Sequence, residues 1–386
     1  MKIPLSQPDI TKKERDAVLG VLKTPNLALG PKLKEFEQNM AKFAGRKYAI
    51  ATNSGTSGLH LAIKALGVKK GDEIITSPFS FIASANCALF EQAKPIFVDI
   101  DPDTLNIDPL KIEKAVTKNT KAMVIIDIFG HTVDWKPIFK IAKKYKLKII
   151  EDSCEAIGAE YKGKRCGSFG EISTFAFYPN KQMTTGEGGI ILTDDEKIAN
   201  YCRALTNQGR KIEKGQWLNH SYLGYNYRMS DINASLGVAQ LSRIKEILRK
   251  RDRVAKLYNK KLKNVKGVTL PYVAPYAKMS WFVYVIQVAG TKKYRDNIMN
   301  KLREQGVSCS NYFQCIHLQP LYKNPRRFVP QNLVSCFARN KKMFGYKRGD
   351  FPIAEEISDK TIALPFYNNL TEKNIDYVVK NLKKCL

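Results

Sequence analysis

The sequence predicts an α/β fold in which a mainly parallel sheet, covered by helices, is followed by a smaller C-terminal α+β domain. Three observations carry this. From Tyr48 onward, short apolar runs alternate with helix-length amphipathic segments, the rhythm of βαβ units. The runs are apolar almost without interruption, as strands buried on both faces must be. At 386 residues the chain also exceeds what one hydrophobic core ordinarily serves.

The elements follow in order. "YAIAT" reads as a strand and "NSGTSGLHLAIKAL" as the helix after it, with a polar, glycine-containing entrance. "DEIITS", "KPIFVDI", "KAMVIIDI" and "LKIIEDS" are the next strands, with helices "FIASANCALFEQ" and "WKPIFKIAKKYK" between them. "STFAFY" and "GIILT" complete the set. One long amphipathic helix is expected from Asp231 to about Lys261, bridging to a C-terminal part that contains strand "SWFVYVIQV" and helix "KYRDNIMNKLREQG". The expected division is a large domain over 1–240, including the N-terminal segment, and a smaller one over 241–386.

Composition narrows the class. No apolar run approaches a membrane span, and "MKIPLSQPDITKKERD" has no signal-peptide core, so the expected location is cytoplasmic. The eight cysteines are scattered, without C-x-x-C pairs or neighbouring histidines, and read as reduced thiols; no metal site is expected. The charge of +28 raises the question of nucleic acid. The lysines, however, lie in short clusters along helix-like segments, and no nucleic-acid-binding motif accompanies them. A solvated lysine surface accounts for the charge.

Three stretches at strand ends carry chemistry. Asn53-Ser54-Gly55-Thr56 stands where a strand turns into a helix, a place where free amides and the helix dipole favour phosphate, although a simple N-cap would use the same residues. Glu151 and Asp152 close an apolar strand, as a helix cap or as a partner for a protonated ring nitrogen. Lys181 follows the apolar "FAFYPN" and precedes "TTGEGG", a glycine patch that would let the backbone pass close to a flat ligand. A lysine in a dry site is a nucleophile able to form a Schiff base. Phosphate cradle, carboxylate and lysine are the three fixtures that pyridoxal 5′-phosphate (PLP) requires.

In that order these fixtures resemble the aspartate-aminotransferase-like fold type I of PLP-dependent transferases. Along nearly its whole length the chain is similar to the DegT/DnrJ/EryC1/StrS family of nucleotide-sugar aminotransferases. The resemblance is carried by "NSGTSGLHLAIKALGV", "GDEIITSPFSFIASAN", "IIEDSCEAIGAEYKGKRCGSFG", "FAFYPNKQMTTGEGG" and "LGYNYRMSDINASLGVAQL". The lysine segment and "EISDKTIALPFYNNLTE" are most similar to its perosamine-synthase branch, which aminates C4 of a 4-keto-6-deoxy sugar for surface glycans such as O-antigen.

The resemblance implies roles. Lys181 would condense with the cofactor and shuttle a proton, and Asp152 would keep the pyridine nitrogen protonated. Phe81 would stack on the ring, and Thr56 with the backbone of Gly55 and Ser57 would hold the phosphate. Glu155 would lie beside the phenolic oxygen. Asn226 would reach the phosphate of a neighbouring subunit, which implies a homodimer with shared sites. The substrates implied are a nucleotide-diphosphate 4-keto sugar and L-glutamate. His317 would face the sugar or serve structurally.

Departures are visible. Glu155 stands where many relatives have glutamine or histidine, and Ala176 where many have a phosphate-binding serine. Residues 324–340 look like an insertion; Arg326, Arg327 or Arg339 would meet the substrate diphosphate if it is functional, and a tolerated surface insertion is the plainer reading. A 3-dehydratase of the same fold would carry histidine in place of Lys181. A 3-keto sugar aminotransferase, a PLP-binding regulator and a basic nucleic-acid-binding protein are the remaining alternatives.

Overall fold

A computed structural model describes residues 1–211, 219–324 and 345–386. Seven strands form the central sheet: β1 (Tyr48–Thr52), β2 (Glu73–Thr76), β3 (Lys94–Phe97), β4 (Thr120–Ile126), β5 (Lys148–Asp152), β8 (Ile172–Ala176) and β9 (Gly189–Thr193). Between β5 and β8 lie the two-residue strands β6 (Glu160–Tyr161) and β7 (Lys164–Arg165), which pair with each other, and β6 also pairs with β11 (Ala277–Lys278), in a small separate sheet. The central order is β1-β9-β8-β5-β4-β2-β3. Only β9 runs against its neighbours, so the sheet is mainly parallel, as predicted.

Both faces are covered. Leu59, Ile63, Ala88 and Leu205 pack on one side of the sheet, and Trp135, Ile138, Phe36 and Met40 on the other. The strands between these layers carry Val, Ile, Ala and Met buried in succession, which explains the unbroken apolar runs. A second sheet orders β10 (Val268–Thr269), β12 (Tyr284–Val288) and β13 (Thr361–Leu364), all antiparallel, around its own core.

One expectation is corrected. The long helix is two helices, Asp231–Ser242 and Ile244–Leu262, broken at Arg243. There the Arg243 guanidinium reaches the Glu14 carboxylate (2.7 Å) and the Asp9 carboxylate (3.4 Å), an attachment to the N-terminal segment that periodicity does not reveal. At the chain start, Ile3 is buried in the C-terminal core and bridges Val307. Among the described residues, no helix is long and apolar enough to cross a membrane.

Candidate active site

Parallel strands present their carboxyl ends on one edge, and ligands of such sheets bind there. The chemistry-bearing segments all converge on that edge. β1 turns directly into the Gly55–Ala65 helix, β5 ends on Asp152, β8 ends on Ala176, and the loop after β8 carries Lys181. The antiparallel β9 starts at the same edge, where Gly189 faces Ala176.

The helix entrance is capped from within. Ser54 Oγ accepts from the Ser57 amide (3.1 Å), and Ser57 Oγ donates to Asn53 Oδ1 (2.6 Å). The Ser57 amide is therefore occupied, and the helix's first turn leaves the Gly55 and Thr56 amides without intrahelical acceptors. Gly55 is required by close packing: a Cβ there would lie 2.6 Å from Ala176 Cβ and 3.1 Å from Cys154 Sγ. Ala176 thus abuts the cradle, and its missing hydroxyl leaves the phosphate grip to the helix entrance.

Asp152 is 4% exposed. Its Oδ2 accepts from Ser84 Oγ (2.6 Å) and its Oδ1 from the Cys154 amide (3.2 Å). Ser84 escaped the sequence reading; its only signal was a hydroxyl near the start of the apolar Ala83–Phe90 helix, three residues after Phe81. Phe81 itself is 59% exposed and so no part of the apolar core.

Lys181 is placed by a turn in which its amide donates to the Tyr178 carbonyl (2.9 Å), with Pro179 at the position whose fixed φ favours turns. Its side chain is only 13% exposed. Nζ lies 3.2 Å from Glu155 Oε1 and 3.9 Å from the centroid of the Phe282 ring. Glu155 Oε2 accepts from the Phe129 amide (3.0 Å), and its main-chain carbonyl accepts from Gln182 Nε2 (2.6 Å). Burial pushes the Glu155 carboxyl up, against the pull of the Lys181 ammonium and the Phe129 amide.

The glycine patch has a different use from the one predicted. Gly186 takes φ +82°, and Gly188 and Gly189 pack on protein, not on a ligand: Cβ atoms there would meet Thr185 Oγ1 at 2.2 Å and the Ser54 carbonyl at 2.4 Å. Gly189 therefore lets β9 approach the cradle's backbone. Gly189→Ala is expected to cost about 1–3 kcal/mol through this clash and to weaken cofactor binding. The check is a thermal melt with a PLP titration, and unchanged values in both would remove this account.

Asn226 is exposed, with its backbone carbonyl 3.4 Å from Asn53 Nδ2 beside the cradle. His317 is fully buried: its Nε2 is hydrogen-bonded to Glu355 (3.0 Å), it packs on Phe351, and its Nδ1 has no hydrogen-bond partner among the described residues, so of the two roles expected for it the structural one is the one its burial supports. Arg326, Arg327 and Arg339 lie outside the described residues. Tertiary folding also brings Asp127 to Glu151 and Cys166, three buried groups whose ligand-type atoms lie within 4.8 Å of one another. Glu151 is already satisfied by the Gly167 and Phe169 amides and Ser173 Oγ. Burial and then the Glu151 charge push the Asp127 carboxyl well up.

The residues present fit PLP: an anion-binding helix entrance, a buried carboxylate with two donors already fixing it, and a shielded lysine, linked through Cys154 and Glu155. Fold and site define a PLP-dependent aminotransferase. The chain belongs to the DegT/DnrJ/EryC1/StrS aminotransferase family, whose pattern matches residues 8–383. An uncharacterized protein of Methanocaldococcus jannaschii is 37% identical, over 100% of this chain and 97% of its own. A GDP-perosamine synthase of Caulobacter vibrioides is 36% identical, over 100% of this chain and 98% of its own. Among solved structures, a candidate sugar aminotransferase of Streptococcus pneumoniae in its PMP-form superposes with a TM-score of 0.90 at 26% identity, covering 100% of this chain and 99% of that one. The protein is accordingly a PLP-dependent sugar aminotransferase.

Proposed function

We propose that this enzyme converts a nucleotide-linked 4-keto-6-deoxy sugar to its 4-amino sugar with L-glutamate as amino donor, as a perosamine-synthase-like step of surface-polysaccharide synthesis in the cytoplasm. The observation that carries the reading is the convergence of Lys181, Asp152 and the Gly55–Thr56 amides on one sheet edge. The similarity to a GDP-perosamine synthase over the full chain supports the choice of sugar position.

Bound PLP supplies an electron sink and carries the amino group from donor to acceptor. The chain's own groups do the rest. Gly55 and Thr56 hold the phosphate with first-turn amides and a hydroxyl, aided by the helix dipole. Asp152, fixed by Ser84 and Cys154, keeps a proton on the pyridine nitrogen. Lys181 Nζ takes a proton from the reacting carbon and returns it on the other side of the exchange. Glu155 balances the lysine's charge when that proton is aboard. Phe81 covers the ring face, and Asn226, exposed beside the cradle, reaches the phosphate of a second copy in a homodimer.

The test is purified protein with glutamate against a panel of GDP-, UDP- and dTDP-linked 4-keto-6-deoxy sugars. The expected result is an amino sugar, detected by mass, with stoichiometric 2-oxoglutarate from at least one of them. Amination of 3-keto sugars alone would replace this reading with its 3-keto counterpart, and turnover without nitrogen transfer would point to dehydration.

A further inference from the structure

Phe282 belongs to the turn entering β12, in the second sheet's layer, yet its ring lies over the Lys181 amine at 3.9 Å. Its residue type gave no signal of function, and the ring is 1% exposed. How it gets there is visible in the backbone. The Ser280–Phe282 turn is clasped to the turn after β4: Ser280 N donates to the Gly130 carbonyl (3.0 Å) and Phe282 N to the Phe129 carbonyl (3.1 Å). Three residues of the clasp hold positive φ, namely Phe129 (56°), Gly130 (90°) and Trp281 (53°). Two of them are bulky residues for which that region is unfavourable, so the surroundings must enforce it.

Arg251 does the enforcing. It is 3% exposed, and its guanidinium donates to the Trp281 carbonyl (2.7 Å), the Phe282 carbonyl (2.6 Å) and Asn368 Oδ1 (3.0 Å) while lying over the Phe366 ring. The same two turns also serve Glu155, through the Phe129 amide, and Gln182, whose Nε2 donates to Ser280 Oγ (2.9 Å). An aromatic face, a carboxylate and a strained clasp thus meet on one nitrogen.

We propose that Phe282 is a positioning residue for the reaction: its ring face, with Glu155, is the station that receives the Lys181 ammonium once that nitrogen has taken up a proton. The inference rests on Lys181 being the reactive amine of the function proposed above. A desolvated ammonium gains from a ring's negative face, so the station holds the protonated amine close and aimed. It also makes the second sheet's layer a contributor to the lysine's chemistry.

The test separates the face's electrostatics from its bulk. Phe282 is replaced by mono-, di- and trifluorophenylalanine, which keep the ring's shape while draining negative charge from its face, and in parallel by Phe282→Leu. Full-length protein, with and without pyridoxamine 5′-phosphate, is treated at one fixed pH with an amine-acylating reagent. The rate at Lys181 is read by mass spectrometry of its peptide. Because only the uncharged amine reacts, the rate is expected to climb stepwise with fluorination, by about tenfold across the series, the factor that 1.4 kcal/mol carries. Phe282→Leu should match or exceed the last member. A flat fluorinated series overturns the proposal, including the case in which only Phe282→Leu is faster, since that would mark the ring as a steric cover. A graded series in a chain that never acquires a visible band with PLP would uphold the station and sink the aminotransfer.

Discussion

Lys181→Ala yields a protein that is colourless after incubation with PLP and dialysis, and its amino-transfer rate falls by at least about 10³-fold, the scale expected when both a nucleophile and a proton carrier are removed. The visible absorption band of the lysine-bound cofactor requires an amine within reach. Among the described residues, Lys181 is the lysine held at the strand edge beside Glu155 and Phe282. Gly55, Thr56 and Asp152 are untouched by the substitution, so non-covalent PLP binding should persist, and dialysis should then release the cofactor. The measurement is an absorption spectrum before and after dialysis, alongside the mass assay for amino sugar. A yellow variant that survives dialysis would transfer the role to another amine.

Asp152→Asn is expected to keep the colour and lose the chemistry. The amide is nearly isosteric: its one oxygen can still accept from the Cys154 amide, which now bonds Oδ1 at 3.2 Å, while its Nδ2 would donate to the Ser84 hydroxyl, which now donates to Oδ2 at 2.6 Å. What it lacks is the negative charge that keeps a proton on the ring nitrogen. Without that proton the ring draws electrons poorly, and the glutamate half-reaction should slow by roughly 10²–10³-fold, comparable to the loss of one preorganised electrostatic group in a dry site. Single-turnover bleaching of the visible band with glutamate measures this directly. A variant that bleaches at the parental rate would show that the carboxylate serves only to tie Ser84 and the 152–154 turn together.

Several residues of this site were legible because each sits at the end of an apolar run. Asp152 and Lys181 terminate or follow strands whose burial is readable from composition alone, and a charged group beyond such a strand stands out. The helix entrance after β1 was legible for the same reason, although its internal cap by Ser54 was not, since Ser54 and Ser57 are equally good cap residues in one dimension. In the glycine patch, Gly189 makes room for the protein's own backbone at Ser54 and Gly188 for the Thr185 and Met229 side chains, contacts that no spacing along the chain records. The burial of His317 was equally illegible, because Glu355, which pairs with its Nε2, stands 38 residues away.

What the amino-acid order settled on its own is local and periodic. The alternation of buried strands with amphipathic helices, the mainly parallel sheet that follows from it, and the standing of Asp152 and Lys181 just beyond apolar runs are all written within stretches of a few residues. What only the tertiary structure decided is long-range: the break at Arg243, made by carboxylates at positions 9 and 14, the docking of Ile3 into the C-terminal core, and the delivery of Phe282 to Lys181 by a clasp that Arg251 holds. The physical reason is the same in each case. Hydrophobic period and turn chemistry are properties of neighbouring residues. The partner of a buried polar or charged group, by contrast, is chosen by whichever segment packing brings within about 3 Å, and no spacing along the chain records that choice.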